Sequence, residues 1–150
     1  MIMGIIGGVA KVRVIKTAQV EYILPLEDGL CEMKLVDGAE FVPWPYVDFT
    51  PSYEYSKEKT AGGSLWEHRI TGQISPVSAE KEAFVDSWAG QDFIALVDLK
   101  TGGTKVMGSL AVSCTVEEGA EVSAGIETNA LTIDLVWLSP QRARSLKTVL

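Results

Sequence analysis

The sequence predicts a mainly β fold of the α+β class: an antiparallel β-sandwich or barrel with one amphipathic helix, at about residues 78–89, packed on it. Three observations lead to this prediction. Several segments alternate apolar and polar residues with a period of two, as half-buried strands do. One segment has the start and stop signals of a helix. The 150 residues, 47% of them apolar, suffice for one domain with its own core.

The alternation is clearest in the segment that ends at Ile74. There Trp66, His68 and Ile70 share one face, and charged or polar residues occupy the other. This pattern is typical of a strand with one face on a core. The same pattern predicts strands at residues 31–35, 106–116 and 131–137, and weaker candidates lie at residues 12–15 and 18–24.

The segment from Phe93 to Leu99 is apolar on both faces apart from Asp98. It predicts either a central strand covered on both sides or a strand whose second face contacts another subunit. Gly102 and Gly103 follow it, and they favour a hairpin turn to the next strand.

The helix is predicted from its ends as well as from its interior. Ser75-Pro76-Val77-Ser78 is a start signal, with serine as a cap and proline tolerated in the first turn. Phe84 and Trp88 lie one turn apart and form an apolar stripe that Val85 widens. Gly90 is expected to end the helix.

The chain is predicted to be a single domain, 1–150, with an extended N-terminal segment at residues 1–10 and a long loop at residues 50–64. Loops of more than about 12 residues are uncommon in compact domains and are often functional. Tyr and Trp are enriched at protein interfaces. We therefore expect a partner to contact the long loop and the aromatic residues on either side of it, through Trp44, Tyr46, Tyr53, Tyr55, Gly62, Gly63, Trp66 and His68.

We find no candidate catalytic site in the sequence. The single histidine, His68, lies on the apolar face of its strand, which favours a packed histidine over a catalytic base. Two cysteines and one histidine do not have zinc-site spacing, and no glycine-rich segment has the phosphate-loop order. We expect no catalytic residue, cofactor or metal, and two reduced, buried thiols at Cys31 and Cys114.

The charge disfavours binding to nucleic acid. The net charge is −7, whereas affinity for DNA and RNA comes mainly from Lys and Arg. Arg142, Arg144 and Lys147 are interpreted as a solvated terminus. No apolar run reaches the roughly 18–20 residues that span a bilayer, so no membrane insertion is expected. The N-terminal segment lacks the basic residues and cleavage pattern of a signal peptide, which favours the cytosol.

Two longer motifs carry a resemblance to a known group. The first is Gly-Gly-Ser-Leu-Trp-Glu-His-Arg-Ile-Thr-Gly-Gln-Ile at residues 62–74, followed by proline and the helix. The second is the hairpin Phe-Ile-Ala-Leu-Val-Asp-Leu-Lys-Thr-Gly-Gly-Thr-Lys-Val-Met-Gly-Ser at residues 93–109. With the closing strand, this layout over residues 50–138 resembles small structural proteins in the tails of bacteriophages and prophages, especially those of Bacteroidetes hosts.

The resemblance implies a structural subunit of a virion tail, present in the host cytoplasm during assembly. Its partners would be copies of itself in a ring or tube, with six as a reasonable number, and other tail proteins. The resemblance does not indicate which component of the tail the subunit would be (tube, terminator, neck or baseplate).

Two alternatives remain beside this expectation. One is a β-barrel that binds a small apolar ligand. The other is a hydrolase that uses His68 with Glu67 or Asp98.

Overall fold

The computed structural model describes residues 2–6, 8–47, 50–75, 78–124 and 128–150. Within these ranges the chain forms twelve strands and one α-helix. In chain order they are β1 (Ile2–Ile6), β2 (Val9–Lys16), β3 (Val20–Pro25), β4 (Leu30–Leu35), β5 (Val42–Pro43), β6 (Ser52–Thr60), β7 (Gly63–Ile74), α1 (Ala79–Ala89), β8 (Phe93–Leu99), β9 (Thr104–Met107), β10 (Thr115–Ala124), β11 (Thr128–Ser139) and β12 (Arg144–Val149).

The strands form two sheets, so the fold class expected from the sequence is confirmed. Sheet A has the order β1-β6-β7-β11-β10, and all of its pairs are antiparallel. Sheet B has the order β3-β4-β12-β9-β8-β2-β5. Its β4 and β12 run parallel, which departs from the expected all-antiparallel arrangement. The reason is that β12 arrives from sheet A through residues 140–143 instead of through a hairpin with β4.

The main core lies between the two sheets. Sheet A contributes Tyr53, Ile70 and Leu135, and sheet B contributes Val14 and the Phe93 side of β8. The period-two pattern of β7 buries every second residue from Trp66 to Ile74, as the sequence predicts, and Ile70 and Ile74 lie in this core.

A second core covers the other face of β8. Ile94 and Leu96 pack there with Ile15, Val20 and Met33. The central-strand interpretation of Phe93–Leu99 is therefore the correct one: this chain covers both faces itself. Cys31 belongs to this core and Cys114 to the main one, and both are free thiols as expected.

Sheet B must curl around the second core. β2 and β3 lie five strand positions apart, which in a flat sheet is about 24 Å. Yet only three residues, Thr17–Gln19, connect them, and such a connection reaches no more than about 14 Å. The two ends of the sheet are therefore brought together, which gives sheet B a barrel-like shape with an open mouth.

The helix α1 spans Ala79–Ala89, in agreement with the prediction. The Ser78 side chain caps it by accepting a hydrogen bond from the backbone N–H of Lys81, and Gly90 is its C-cap. Val85 and Trp88 are buried in the main core, with Phe84 packed against it. Pro76 and Val77, part of the predicted start signal, lie outside the described residues.

The prediction of a long loop at residues 50–64 is wrong. Most of it is β6, which pairs along its whole length with β7 through a turn at residues 61–62. In the predicted extended N-terminal segment, β1 pairs with β6 and β2 begins at Val9, so the described part of this segment belongs to the two sheets. Polar residues on both faces of β6 hide its strand character from a local pattern.

The prediction of a single strand over residues 106–116 is also wrong. β9 ends at Met107 and β10 starts at Thr115. Gly108 has φ +121° and turns the chain away. Leu110 and Val112 are consequently exposed, at 48% and 46%, instead of buried in the core.

Candidate functional site

Four aromatic side chains surround His68 at one end of sheet A. The register places Tyr55, His68 and Trp137 side by side on β6, β7 and β11. The His68 ring stacks on Trp137 at 5.1 Å between centroids and on Trp66 at 6.3 Å. The cluster is Tyr53, Tyr55, Trp66, His68 and Trp137, and it arises because alternate residues on three adjacent strands point inward. The indole of Trp137 donates to the carbonyl of Val112, at 3.0 Å.

His68 has its hydrogen-bonding capacity satisfied within the chain. Its Nε2 lies 3.4 Å from the carbonyl oxygen of Gln141, which can only accept. The proton therefore resides on Nε2, and Nδ1 accepts from the Tyr53 hydroxyl at 3.0 Å. Burial, together with the nearby charges of Lys105 and Arg142, lowers the pKa of His68 to about 4, although the Gln141 carbonyl opposes this change.

This lowered pKa makes stability depend on pH. Above pH 6.5 histidine is neutral in both folded and unfolded chains, and below it only the unfolded chain takes up the proton. We expect the free energy of unfolding to fall by about 1 kcal/mol between pH 7.5 and 5.5 and further toward pH 4. Urea unfolding at several pH values measures this. His68→Gln should lose the dependence in this range, and an unchanged slope in that variant would contradict the assignment.

The hydrolase alternative gains no support from the geometry. Glu67 points to the opposite face of β7, where it contacts Arg69. Asp98 binds the guanidinium of Arg13 through both oxygens, each at 2.9 Å. Neither carboxylate contacts His68, whose two partners are a tyrosine and a backbone carbonyl. No base with a positioning carboxylate is formed from these three residues.

The structure separates the predicted interface residues into two groups. Trp44, Tyr53 and His68 are buried inside this chain, at 4%, 1% and 0% exposure, so they offer no surface to a partner. Trp66 is also largely covered, at 9%. Tyr46 and Tyr55 are half-buried, whereas Gly62 and Gly63 lie exposed at the tip of the β6–β7 hairpin.

Trp44 and Tyr46 belong to a second aromatic group, beneath α1. Trp44 stacks on Phe93 with 6.5 Å between centroids and contacts Phe84 and Trp88. Burial raises the pKa of Tyr46 far above its usual value, and its hydroxyl donates to the Ile133 carbonyl at 2.6 Å. These aromatics attach the helix to the core, which is a structural role.

A cavity of about 370 Å³ opens at the mouth of sheet B, beside the His68 cluster. Apolar side chains form most of its wall, and two arginines, Arg142 and Arg144, also line it. Arg142 stacks on Trp66 and Tyr55, with its guanidinium carbon 4.9 Å and 5.7 Å from the ring centroids. This site is not predicted from the sequence, in which both arginines are interpreted as part of a solvated terminus. The break at Pro140 after β11 was the one local signal that the chain crosses between sheets here.

The described residues contain no cluster of His, Cys, Asp and Glu able to hold a metal ion. No helix in the described part of the chain is long and apolar enough to cross a membrane. Comparisons with protein-family models, with curated proteins and with solved structures gave no match.

Proposed function

We propose that this chain is a structural subunit of a phage or phage-like tail, and that it assembles with copies of itself through the edges of sheet A. The observation that carries the proposal is the composition of β1. This strand forms one edge of sheet A, and its sequence, Ile-Met-Gly-Ile-Ile, has neither a charge nor a proline.

Edge strands expose unpaired backbone groups, and proteins usually protect them with charges or proline. The other three edge strands of the described sheets follow this rule. β10 has Glu117, Glu118 and Glu121; β3 has Glu21 and Pro25; β5 has Pro43. β1 alone lacks such protection, as expected of a strand that pairs with another chain.

The second copy is expected to offer its β10 to this edge. β1 and β10 lie at opposite ends of the five-stranded sheet A, so their pairing is head-to-tail. A head-to-tail contact that closes by rotation produces a ring, whereas β1 paired with β1 produces a two-fold dimer. Ring formation fits the resemblance of residues 50–138 to tail proteins, on which the assignment to a tail depends.

Charge should oppose this assembly. Each copy has a net charge of −7, and the three glutamates of β10 lie on the strand that receives β1. Like charges repel over roughly one Debye length, about 10 Å at 0.1 M salt. We therefore expect assembly to be favoured by higher ionic strength.

The test is a pair of lysine substitutions, Ile5→Lys and Ile6→Lys. A lysine on an edge strand discourages pairing with another chain. Two adjacent positions are used because residues along a strand alternate between its faces, and the variant that folds is the one assayed. The wild type should form oligomers larger than a dimer, and the folded variant should remain a monomer. Light scattering after size exclusion gives the masses, circular dichroism checks folding and negative-stain microscopy shows ring shape.

Leu24→Lys is the matched control. Leu24 is 47% exposed and lies on β3, an edge that Glu21 and Pro25 already protect. This variant should assemble as the wild type does. A wild type that is monomeric at every concentration and salt level would overturn the proposal. A wild type that forms only a dimer would indicate a β1–β1 contact and would overturn ring formation.

A further inference from the structure

The cavity at the mouth of sheet B has the size and lining of a small-molecule site. Its volume, about 370 Å³, lies within the roughly 300–1,000 Å³ of such sites. Its floor and walls come from both sheets and from the segment after β9. They include Ile23, Cys31, Val106, Leu110, Val112 and Trp137.

Two of these residues leave apolar surface uncovered. Leu110 and Val112 are about half exposed and lie beside the buried Val106 and the Trp137 ring. An apolar group seated in the cavity would cover both of them, and burial of apolar surface is favourable. The walls therefore fit a ligand with an apolar body.

The charged residues that line the cavity differ from those of the rest of the molecule. The chain has four arginines, and two of them, Arg13 and Arg69, form ion pairs with carboxylates. Arg142 and Arg144 form none with the described residues, although acidic residues outnumber basic ones by 20 to 13. Two cations that have no counter-charge among the described residues thus line one cavity.

The two guanidinium groups are held in place without being neutralised. Arg142 lies over the Trp66 and Tyr55 rings, and stacking of this kind leaves the N–H edge of the group able to donate. Arg144 uses one nitrogen for the carbonyls of Leu26 and Leu30, at 3.1 Å and 3.3 Å, and keeps other donors. Lys105 lies near Arg142, and its pKa is lowered by burial and by that charge.

We propose that this cavity binds a small amphipathic anion, with its apolar body between the two sheets and its carboxylate at Arg142 and Arg144. The described residues that line this site belong to β3, β4, β9, β11, β12 and the segments that follow β9 and β11, whereas the proposed assembly uses β1 and β10. Charge-assisted hydrogen bonds from arginine to a carboxylate supply the specificity, and the apolar walls supply contact area.

Octanoate is a suitable probe, and Trp137 is a suitable reporter. The indole of Trp137 donates to Val112, and both residues line the cavity. Octanoate should shift the indole N–H signal of Trp137 in a saturable manner in NMR spectra, with Trp137→Phe used to assign that signal. At equal concentrations 1-octanol should bind about tenfold more weakly, because it lacks the charge. Octyltrimethylammonium should not bind.

Arg142→Gln should weaken octanoate binding about tenfold or more. Lys11→Gln is its matched control, since it makes the same change of charge at an exposed position on β2 outside the cavity and should leave binding unchanged. Leu110→Glu is a second variant, which places a negative charge in the cavity lining, where it repels the octanoate carboxylate, and should abolish binding.

Several results would overturn the proposal. Equal binding of octanoate and 1-octanol would indicate an apolar site without anion recognition. Equal losses in Arg142→Gln and Lys11→Gln would indicate a nonspecific effect of net charge. A Trp137 signal that depends on protein concentration and not on octanoate would show that another copy of the chain occupies the cavity.

Discussion

Gly72→Ala should lower the free energy of unfolding by about 2–4 kcal/mol. Gly72 lies on β7 directly beneath the Tyr46 ring. An added methyl group would be 2.6–2.9 Å from three ring carbons, closer than such atoms approach in proteins. The ring cannot easily withdraw, because the Tyr46 hydroxyl is hydrogen-bonded to Ile133 on the neighbouring β11. The cost thus combines overpacking with the loss of this hydrogen bond.

The sign of this effect is informative. Alanine in place of glycine often stabilises a protein, because it reduces the freedom of the unfolded chain. Gly62→Ala is the matched control, since Gly62 is exposed at the hairpin tip and a methyl group there meets no atom within 4 Å. It should be neutral or slightly stabilising in urea unfolding. Tyr46→Ala should remove most of the Gly72→Ala penalty, and equal penalties in both backgrounds would contradict the contact.

Arg69→Met should also destabilise the fold strongly, by about 2–4 kcal/mol. Arg69 lies on the outer face of β7 and donates to the carboxylates of Glu67, Glu117 and Asp134. The Asp134 side chain is 17% exposed, so it cannot recover full hydration. Without the arginine, three negative charges remain close together on sheet A, and one of them is partly buried.

Arg13→Met provides the comparison for this prediction. Arg13 is as buried as Arg69 but binds one carboxylate, that of Asp98. Asp98 also keeps a hydrogen bond from Thr104, at 2.6 Å. The loss should therefore be about 1–2 kcal/mol in the same urea assay. Asp134→Asn should restore part of the stability of Arg69→Met, and no recovery would show that charge is not the cause.

The sequence was sufficient to predict a strand or helix where the environment of its residues follows from that segment alone. The alternation around Trp66 and Ile70 identifies β7, and the uninterrupted apolar run of Phe93–Leu99 identifies the central strand. Capping by Ser78 identifies the start of α1. These signals depend on local geometry and on the polarity of two faces, which a short segment contains in full.

The predictions were wrong where the environment of a residue is formed by distant parts of the chain. β6 has polar residues on both faces and becomes a strand because β1 and β7 pair with it. Leu110 and Val112 have strand spacing, but the turn at Gly108 removes them from the sheet. Strand propensity depends on such neighbours more than on intrinsic preference.

The candidate site could not be found for the same reason. The cavity unites the end of β3, the segment after β9 and the crossing after β11, which are about a hundred residues apart at the extremes. Arg142 has no local motif, and its stacking on Trp66 depends on the path of residues 140–143 between the sheets. The burial of His68 was predictable from its place in β7, whereas its bond to Tyr53 required the register with β6.

The position of β12 has a consequence for when the protein can fold. This strand lies inside sheet B, between β4 and β9, and no other described strand joins those two. Until residues 144–149 emerge from the ribosome, sheet B consists of two separate parts, and the second core has no continuous wall. Sheet A likewise needs β10 and β11 from the final third of the chain. The two parts of sheet B therefore remain unjoined until β12 inserts between them, so closure of the second core depends on a long-range contact that links residues 144–149 to β4 and β9.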